Sequence, residues 1–408
     1  MNNTVLKRKI SPLSILNVAT FFQYQRFVMP ISFLFYLYNG LTFSQFILCQ
    51  SIYNLTCLIA KISMGAVGDI FPKKYVLIFS YFLFMLRVIL WINFSSFWII
   101  LTGEILYGLF KAFYRGNVDS YIYEYLETTS NTEKIIKKYG KLSFFNSIGS
   151  ATSCIIGVIL YKFIGFKGIL CLELVTQIIA ISCLFFLPNL YTPKKKYNIS
   201  ETAKYYLKVF CDSIKSICKN PKLNYNVFYS SALSGLTSVF VWNFQPLLKL
   251  SSAPVFLFGV ISFINQCLRG LGGFFAKNII KKITSNKYLY FAEYSMVITS
   301  FILLIIGYQT KNYILTTLFL IIICIAIFMF VIFGIFNTAK IHENTDDYKR
   351  ASTSSVNVFF EDFSSFLLLL IFKFLYDAVG INYSLFIYAL IFTILLLPNL
   401  KRIKIIAQ

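Results

Sequence analysis

The sequence is poor in charge and almost free of histidine, and both shortages exclude whole classes of protein. Of its 408 residues only 13% are charged while 58% are hydrophobic, which is too apolar for a soluble globular domain. It has one histidine, and no two cysteines are spaced as in a zinc or redox site. We therefore expect no metal site and no other cofactor.

Motifs for catalysis, ATP use and nucleic-acid binding are missing as well. There is no glycine-rich phosphate loop of the Walker type, which excludes intrinsic ATP-driven pumping. No Ser-His-Asp set accompanies the single histidine. The net charge of +22 comes without a helix-turn-helix or similar module in the loops. We predict that the protein is not an enzyme and binds no nucleic acid.

What the sequence does contain is a succession of long apolar segments. A bilayer core about 30 Å thick needs roughly 20 apolar residues per helix. Twelve segments are long enough, and they lie near 13–38, 44–66, 75–93, 97–119, 140–162, 168–187, 223–248, 254–276, 288–307, 312–338, 351–375 and 379–398. The sequence therefore predicts an all-α integral membrane protein with twelve transmembrane helices and no cleavable signal peptide.

One short stretch occurs twice, about half a chain apart. Gly65–Lys74 and Gly273–Lys282 each begin with glycine, carry a charge four residues on and end in a lysine pair. Such repeats are typical of transporters. We predict two pseudo-symmetric six-helix halves, 1–187 and 223–408, joined by a cytoplasmic linker, 188–222. The linker should contain a basic amphipathic helix that lies on the membrane surface.

The basic residues indicate the orientation in the membrane. Most lysines and arginines lie at the two termini and in the connections after the even-numbered spans. By the positive-inside rule these parts are cytoplasmic, and their charge suits anionic lipid headgroups. We expect a monomeric multi-pass protein of the plasma (inner) membrane, embedded in the lipid bilayer with both termini cytoplasmic.

The loop after span 2 has the order glycine, three residues, aspartate and a basic pair, in Gly65, Asp69, Lys73 and Lys74. With six spans per half, the chain resembles the major facilitator superfamily over essentially its whole length. Span 4, from Tyr107 to Tyr123, is similar to a bacterial branch grouped with drug and metabolite exporters. The resemblance implies a secondary active transporter that works by alternating access, with export favoured.

The resemblance also implies a role for this loop. In the superfamily, the aspartate lies against the start of helix 11, where the helix dipole favours an anion. Here that partner would be Ser352–Ser355, which is rich in capping hydroxyls. We predict that Asp69 stabilises the closed cytoplasmic gate, with Gly65, Lys73 and Lys74 completing the loop.

Charges within spans indicate where a solute binds, because each costs about 2.5–3.5 kcal/mol at the membrane centre. Five residues of span 4 share one helix face by their spacing of three or four: Glu104, Gly108, Lys111, Arg115 and Asp119. Arg26 lies deep in span 1. We predict that Arg26, Lys111 and Arg115 bind an anionic group of the solute. The alternative is a structural ladder of ion pairs along span 4.

Span 11 supplies carboxylates from the other half. Glu361 shares a helix face with Ser354, Asn357 and Ser365, whereas Asp362 points about 100° away. A carboxylate away from bulk water holds its proton more tightly and can exchange it near neutral pH. Glu361 is therefore the predicted proton carrier.

Further residues complete the predicted site. Glu104 is the second candidate for the proton carrier and Asp119 a third. The structural alternative for Glu361 and Glu104 is a salt bridge to Arg26 or Arg115. Span 7 would contribute Trp242, Asn243 and Gln245 to the solute site.

Together these features predict a secondary active transporter, coupled to protons, that moves a small organic solute bearing an anionic group. Span 5 lacks the Gly-Pro ending of the antiporter signature, so an importer or exchanger of organic anions is an alternative to export. A membrane sensor or scaffold that no longer transports is the second alternative.

Overall fold

The computed structural model describes residues 11–128, 135–190, 199–282, 286–345 and 350–406, and throughout these ranges all regular elements are helices. A short 3-10 turn, Met29–Ile31, follows the first of them. In chain order the helices are α1 (Pro12–Gln23), α2 (Ser32–Tyr38), α3 (Phe43–Ile70), α4 (Lys73–Asn93), α5 (Phe97–Thr128), α6 (Ile135–Phe185), α7 (Ile199–Lys219), α8 (Pro221–Leu250), α9 (Val255–Lys282), α10 (Asn286–Thr310), α11 (Tyr313–Glu343) and α12 (Arg350–Ile406).

Two of these helices are long enough to cross a bilayer twice. Helix α6 has 51 residues and α12 has 57, so each would extend for about 75 Å or more if straight. Each is interrupted by a glycine with positive φ, Gly165 at 63° and Gly380 at 77°, a conformation that glycine adopts without a steric penalty. Each helix thus supplies two spans, and the prediction of an all-α, twelve-helix membrane protein is confirmed.

Asparagine caps determine where two of the helices begin. The Asn220 side chain accepts hydrogen bonds from the backbone N–H groups of Lys222 and Leu223 at the start of α8. Asn312 does the same for Ile314 and Leu315 at the start of α11. These bonds satisfy backbone donors that have no partner within the helix.

The first predicted span, 13–38, is not one continuous helix. Helix α1 ends at Gln23, and the chain becomes helical again only at the 3-10 turn before α2. The chain forms two compact units, Met1–Phe27 with Ile59–Leu207 and Val28–Leu58 with Lys208–Gln408. The boundary between Phe27 and Val28 therefore falls within this interruption.

In the first unit, α1 packs against α6, and α4 packs against α5 and α6. Two glycines of α6 allow the close approach to the first span. A Cβ atom on Gly149 would lie 2.5 Å from the carbonyl oxygen of Phe21, and one on Gly157 would meet the carbonyl oxygen of Phe27. Both neighbours are backbone atoms, which cannot rotate away as a side chain can.

We therefore expect Gly149→Ala to destabilise the protein by about 1–3 kcal/mol, the usual cost of overpacking. The control is Gly140→Ala in the same helix, where an added Cβ meets no atom within 4 Å. That control should be neutral or slightly stabilising, because alanine is the better helix former. Thermal unfolding of the two purified variants in detergent measures the difference, and equal melting temperatures would contradict the close packing.

In the second unit, α8 packs against α11 and α12, while α9 and α10 pack against α11. The linker helix α7 joins this unit at its C-terminal end. Ile217 is buried in a hydrophobic cluster with Leu223, Val227, Ile341 and Val356. The C-terminal part of α7 is thus packed against helices of the second unit.

Candidate functional site

Arg26 lies in the first unit, just after α1 ends, and its side chain is buried. Four rings surround the guanidinium, which we call the aromatic cage; their centroids lie 4.6–5.6 Å from its Cζ, and they belong to Tyr24, Phe84, Tyr107 and Phe110. The Nη1 group also donates a hydrogen bond to the hydroxyl of Tyr107. Rings at these distances stabilise a cation by cation–π attraction.

A buried ion pair adjoins the cage. Nη2 of Arg87 lies 3.2 Å from Oε1 of Glu104, and both side chains are buried. The Arg87 guanidinium also lies 4.5 Å from the Tyr107 ring centroid and 3.9 Å from that of Trp91. Tyr107 therefore contacts both arginines. The sequence raised Arg26 and Arg115 as partners of Glu104, whereas the structure pairs Glu104 with Arg87.

The buried face of α5 in this region is aromatic rather than charged. Tyr107, Phe110 and Tyr114 form a continuous stack, with centroid distances of 5.9 and 5.6 Å. The Tyr114 hydroxyl lies 3.1 Å from Oγ1 of Thr20 on α1. This stack faces the first span.

The residues of the predicted charged stripe of α5 differ in how far they are buried. Glu104 and Gly108 are buried, and Lys111 is half-buried. The Arg115 and Asp119 side chains are exposed. Glu104 therefore adjoins the aromatic cage, because its partner Arg87 contacts Tyr107. Arg115 and Asp119 lie outside the buried part of α5.

Two glutamines bond to the two sides of the interruption in the first span. In the first unit, Nε2 of Gln177 donates to the carbonyl oxygen of Gln23 at 3.2 Å. In the second unit, Gln245 donates through Nε2 to the carbonyl oxygen of Met29 at 2.9 Å and accepts from the backbone N–H of Phe33 at 2.8 Å. Gln177 thereby satisfies a carbonyl group at the end of α1, and Gln245 satisfies a backbone N–H group in the first turn of α2.

Glu361 forms the polar centre of the second unit. Its Oε1 accepts a hydrogen bond from Oγ of Ser230 at 2.6 Å and another from Nδ2 of Asn357 at 2.8 Å. Asn357 is one turn away on the same helix, as the spacing predicted, and Ser230 comes from α8. The carboxylate is thus held between span 7 and span 11.

A row of hydroxyls continues from Glu361 along the same pair of helices. Ser365, one turn beyond Glu361, lies 3.4 Å from Oγ of Ser234 and accepts a hydrogen bond from Ser238 at 3.1 Å. Ser230, Ser234 and Ser238 recur at intervals of four on α8 and so share its face. The predicted polar face of span 11 therefore meets a polar face of span 7.

The span 7 residues predicted to bind solute have other contacts. The Asn243 side chain accepts from the Tyr308 hydroxyl at 2.9 Å and donates to the carbonyl oxygen of Val239. Gln245 bonds to the backbone of the first span, as described above. Trp242 is half-buried and packs edge-on against Phe46, with the ring centroids 5.6 Å apart.

The signature loop is described in part. Gly65 and Asp69 fall near the end of α3, and their side chains lie outside the described residues. Nζ of Lys73 lies 3.6 Å from Oε1 of Glu124 on α5. Lys74 donates to the carbonyl oxygen of Phe185, at the end of α6, at 2.7 Å. The lysine pair therefore ties the start of α4 to two neighbouring helix ends.

This architecture has known relatives. The profile of the Major Facilitator Superfamily matches residues 14–369. The chain belongs to the major facilitator superfamily. No curated protein sequence matches it, so the solved structures of the superfamily provide the comparison.

Three solved transporters share the fold. The nucleoside transporter NupG superposes with a TM-score of 0.78 at 15% identity, over 96% of this chain and 98% of its own. The peptide transporter POT gives 0.71 at 14%, over 96% and 94%. A bacterial homologue of the human lysosomal transporter Spinster gives 0.64 at 13%, over 90% and 81%.

As a member of the major facilitator superfamily, the protein is a multi-pass membrane transporter for a small-molecule substrate and not an enzyme.

Sequence reasoning did not single out Ser230, Ser234 or Tyr107, which the structure places at the two polar centres. The spacing of the serines in span 7 is a signal that could have identified that face. Tyr107 gave no such signal, because one tyrosine among 28 is not distinctive.

Proposed function

We propose that this transporter couples the movement of a small organic solute with an anionic group to the movement of protons. The observation that carries the proposal is the contrast between the polar centres of the two units. The first holds a buried arginine in an aromatic cage, and the second holds a carboxylate that accepts hydrogen bonds from Ser230 and Asn357. A cation suits an anionic solute, and a carboxylate that can be neutralised suits a proton.

Glu361 is the proposed proton carrier. Ser230 and Asn357 donate to one oxygen of its carboxylate, and both donors are neutral. A carboxylate in a membrane span can be charged or protonated, which is what a proton carrier needs. Glu104, by contrast, is paired with Arg87. We assign it to that pair and not to proton transfer.

Arg26 is the proposed primary contact for the anionic group. Aromatic rings and the Tyr107 hydroxyl hold the guanidinium in place, and a buried cation in a membrane span suits an anionic group. Lys111, Arg115 and Trp242 are proposed as further contacts. Asn243 and Gln245 are better explained as positioning residues, because their amides bond within the protein.

Orientation and direction belong to the same proposal. The positive-inside pattern supports cytoplasmic termini in the plasma membrane, and we propose that the monomer is the working unit. The resemblance of span 4 to the exporter branch supports export. Asp69 is proposed as the residue that stabilises the closed cytoplasmic gate.

Binding to Arg26→Gln tests the anion site. Removal of a buried charge that pairs with the solute should weaken binding by about 2–5 kcal/mol, or at least roughly 30-fold in Kd. The purified protein is titrated with each of a panel of organic acids, and the rise in melting temperature with acid concentration gives the Kd. The matched control is Arg269→Gln, whose side chain is exposed on α9. Equal affinities of Arg26→Gln and the wild type would remove Arg26 from the site.

A further inference from the structure

Two glutamines of the first unit have buried amide atoms that the fold leaves unused. Oε1 and Nε2 of Gln23 and Oε1 of Gln177 have no hydrogen-bond partner among the residues that the structure describes. Both side chains are 0% exposed. Buried polar groups are normally bonded, and an unpaired one is destabilising. A partner from outside the chain would satisfy them.

The two glutamines lie together. Nε2 of Gln177 donates to the carbonyl oxygen of Gln23 at 3.2 Å. The unused amide atoms of the pair comprise one donor group and two acceptor oxygens. A partner that both donates and accepts would therefore satisfy them best.

Gln23 is also close to Arg26 along the chain. Thr20 and Gln23 are three residues apart on α1 and share a face, and Thr20 lies 3.1 Å from the Tyr114 hydroxyl. Three residues after Gln23, Arg26 donates to the hydroxyl of Tyr107. Gln23 thus falls between the two positions at which the first span contacts the aromatic stack of α5.

We propose that Gln23 and Gln177 form a subsite for a hydroxyl group of the anionic solute, beside Arg26. A hydroxyl is the smallest group that both donates and accepts, which suits amides that are fully buried. The solute class is then a hydroxylated organic anion, such as a hydroxy acid. This inference rests on the proposed function, because Arg26 would hold the anionic group of the same molecule.

The stability of Gln23→Met tests the first part of the inference. Methionine is similar in length and removes no hydrogen bond made by the Gln23 side chain to a described residue. We expect an unchanged melting temperature or a rise of about 2–4 °C without solute. The control is Gln50→Met, which removes the 3.3 Å bond from a buried amide to the Tyr36 hydroxyl and should lower the melting temperature. A clear fall for Gln23→Met would identify a structural amide and overturn the subsite.

Three pairs of acids that differ by one hydroxyl test the second part: lactate and propionate, malate and succinate, citrate and tricarballylate. The wild type should bind the hydroxy acid of at least one pair about tenfold more tightly, because a site built for a hydroxyl disfavours the analogue without it. Gln23→Met should bind both members of that pair alike, and Gln50→Met should keep the preference.

The outcomes separate the two proposals. If the wild type binds acids but treats both members of every pair alike, the hydroxyl subsite is overturned and the anion site stands. If it binds none of the six acids, the proposal of an anionic solute fails, and the subsite that depends on it fails too.

Discussion

Glu361→Gln abolishes solute transport driven by a pH gradient and leaves exchange of solute for solute intact. This result is expected because glutamine keeps the shape of the side chain and its bonds to Ser230 and Asn357 but cannot gain or lose a proton. Uphill accumulation in proteoliposomes should fall at least about 100-fold, to the background level. Counterflow of labelled solute should proceed within about twofold of the wild-type rate.

The matched control is Asp362→Asn, which neutralises the neighbouring carboxylate. Asp362 points about 100° away along α12, off the face that carries Asn357 and Ser365. Uphill transport should therefore persist in this variant. If Glu361→Gln still transports solute uphill, Glu361 is not the proton carrier. The same follows if the variant loses solute exchange along with uphill transport.

We expect Arg87→Met to lower the stability of the protein by about 3–5 kcal/mol, the usual cost of breaking a buried ion pair by removing one partner. Arg87 and Glu104 are 7% and 3% exposed, so water does not replace the lost partner. The double variant Arg87→Met with Glu104→Leu should recover most of that loss, because it removes both buried charges. Thermal unfolding of the two variants gives the comparison.

The same pair of variants distinguishes two roles for Glu104. A structural pair predicts that the double variant folds well and still shows proton-driven transport. If the double variant is stable but transports only by exchange, then Glu104 takes part in coupling. If it is no more stable than Arg87→Met, the two charges do not act as a pair.

The fold could be predicted from the sequence because the bilayer constrains both the length of each span and the distribution of basic residues. Each span needs about 20 apolar residues, and the basic loops between them mark the cytoplasmic side. The break at Gly165 lies between predicted spans 5 and 6, and the break at Gly380 lies one residue after the predicted start of span 12. Periodicity also placed Asn357 and Ser365 on the face of Glu361, since helix geometry alone decides it.

The interruption of the first span was not predicted, although Pro30 in the middle of this span is a signal for a break, because proline disrupts a helix interior. Contacts that stabilise it lie far away in the sequence, at Gln177 and Gln245, which bond to backbone groups on its two sides. The sequence does not show that the Gln245 amide bonds to this backbone, so Gln245 was predicted to contact the solute. The partner of Glu104 was likewise undetermined, because helix spacing limits contacts within a helix and not those between helices.

Proton flux in proteoliposomes tests proton-coupled transport most directly. Purified protein is reconstituted with a pH-sensitive dye inside the vesicles. Each acid of the panel is then added outside, with the internal and external pH equal at the start. Proton-coupled transport predicts that at least one acid changes the internal pH and that Glu361→Gln abolishes the change. Movement of labelled solute with no change in internal pH would contradict proton coupling.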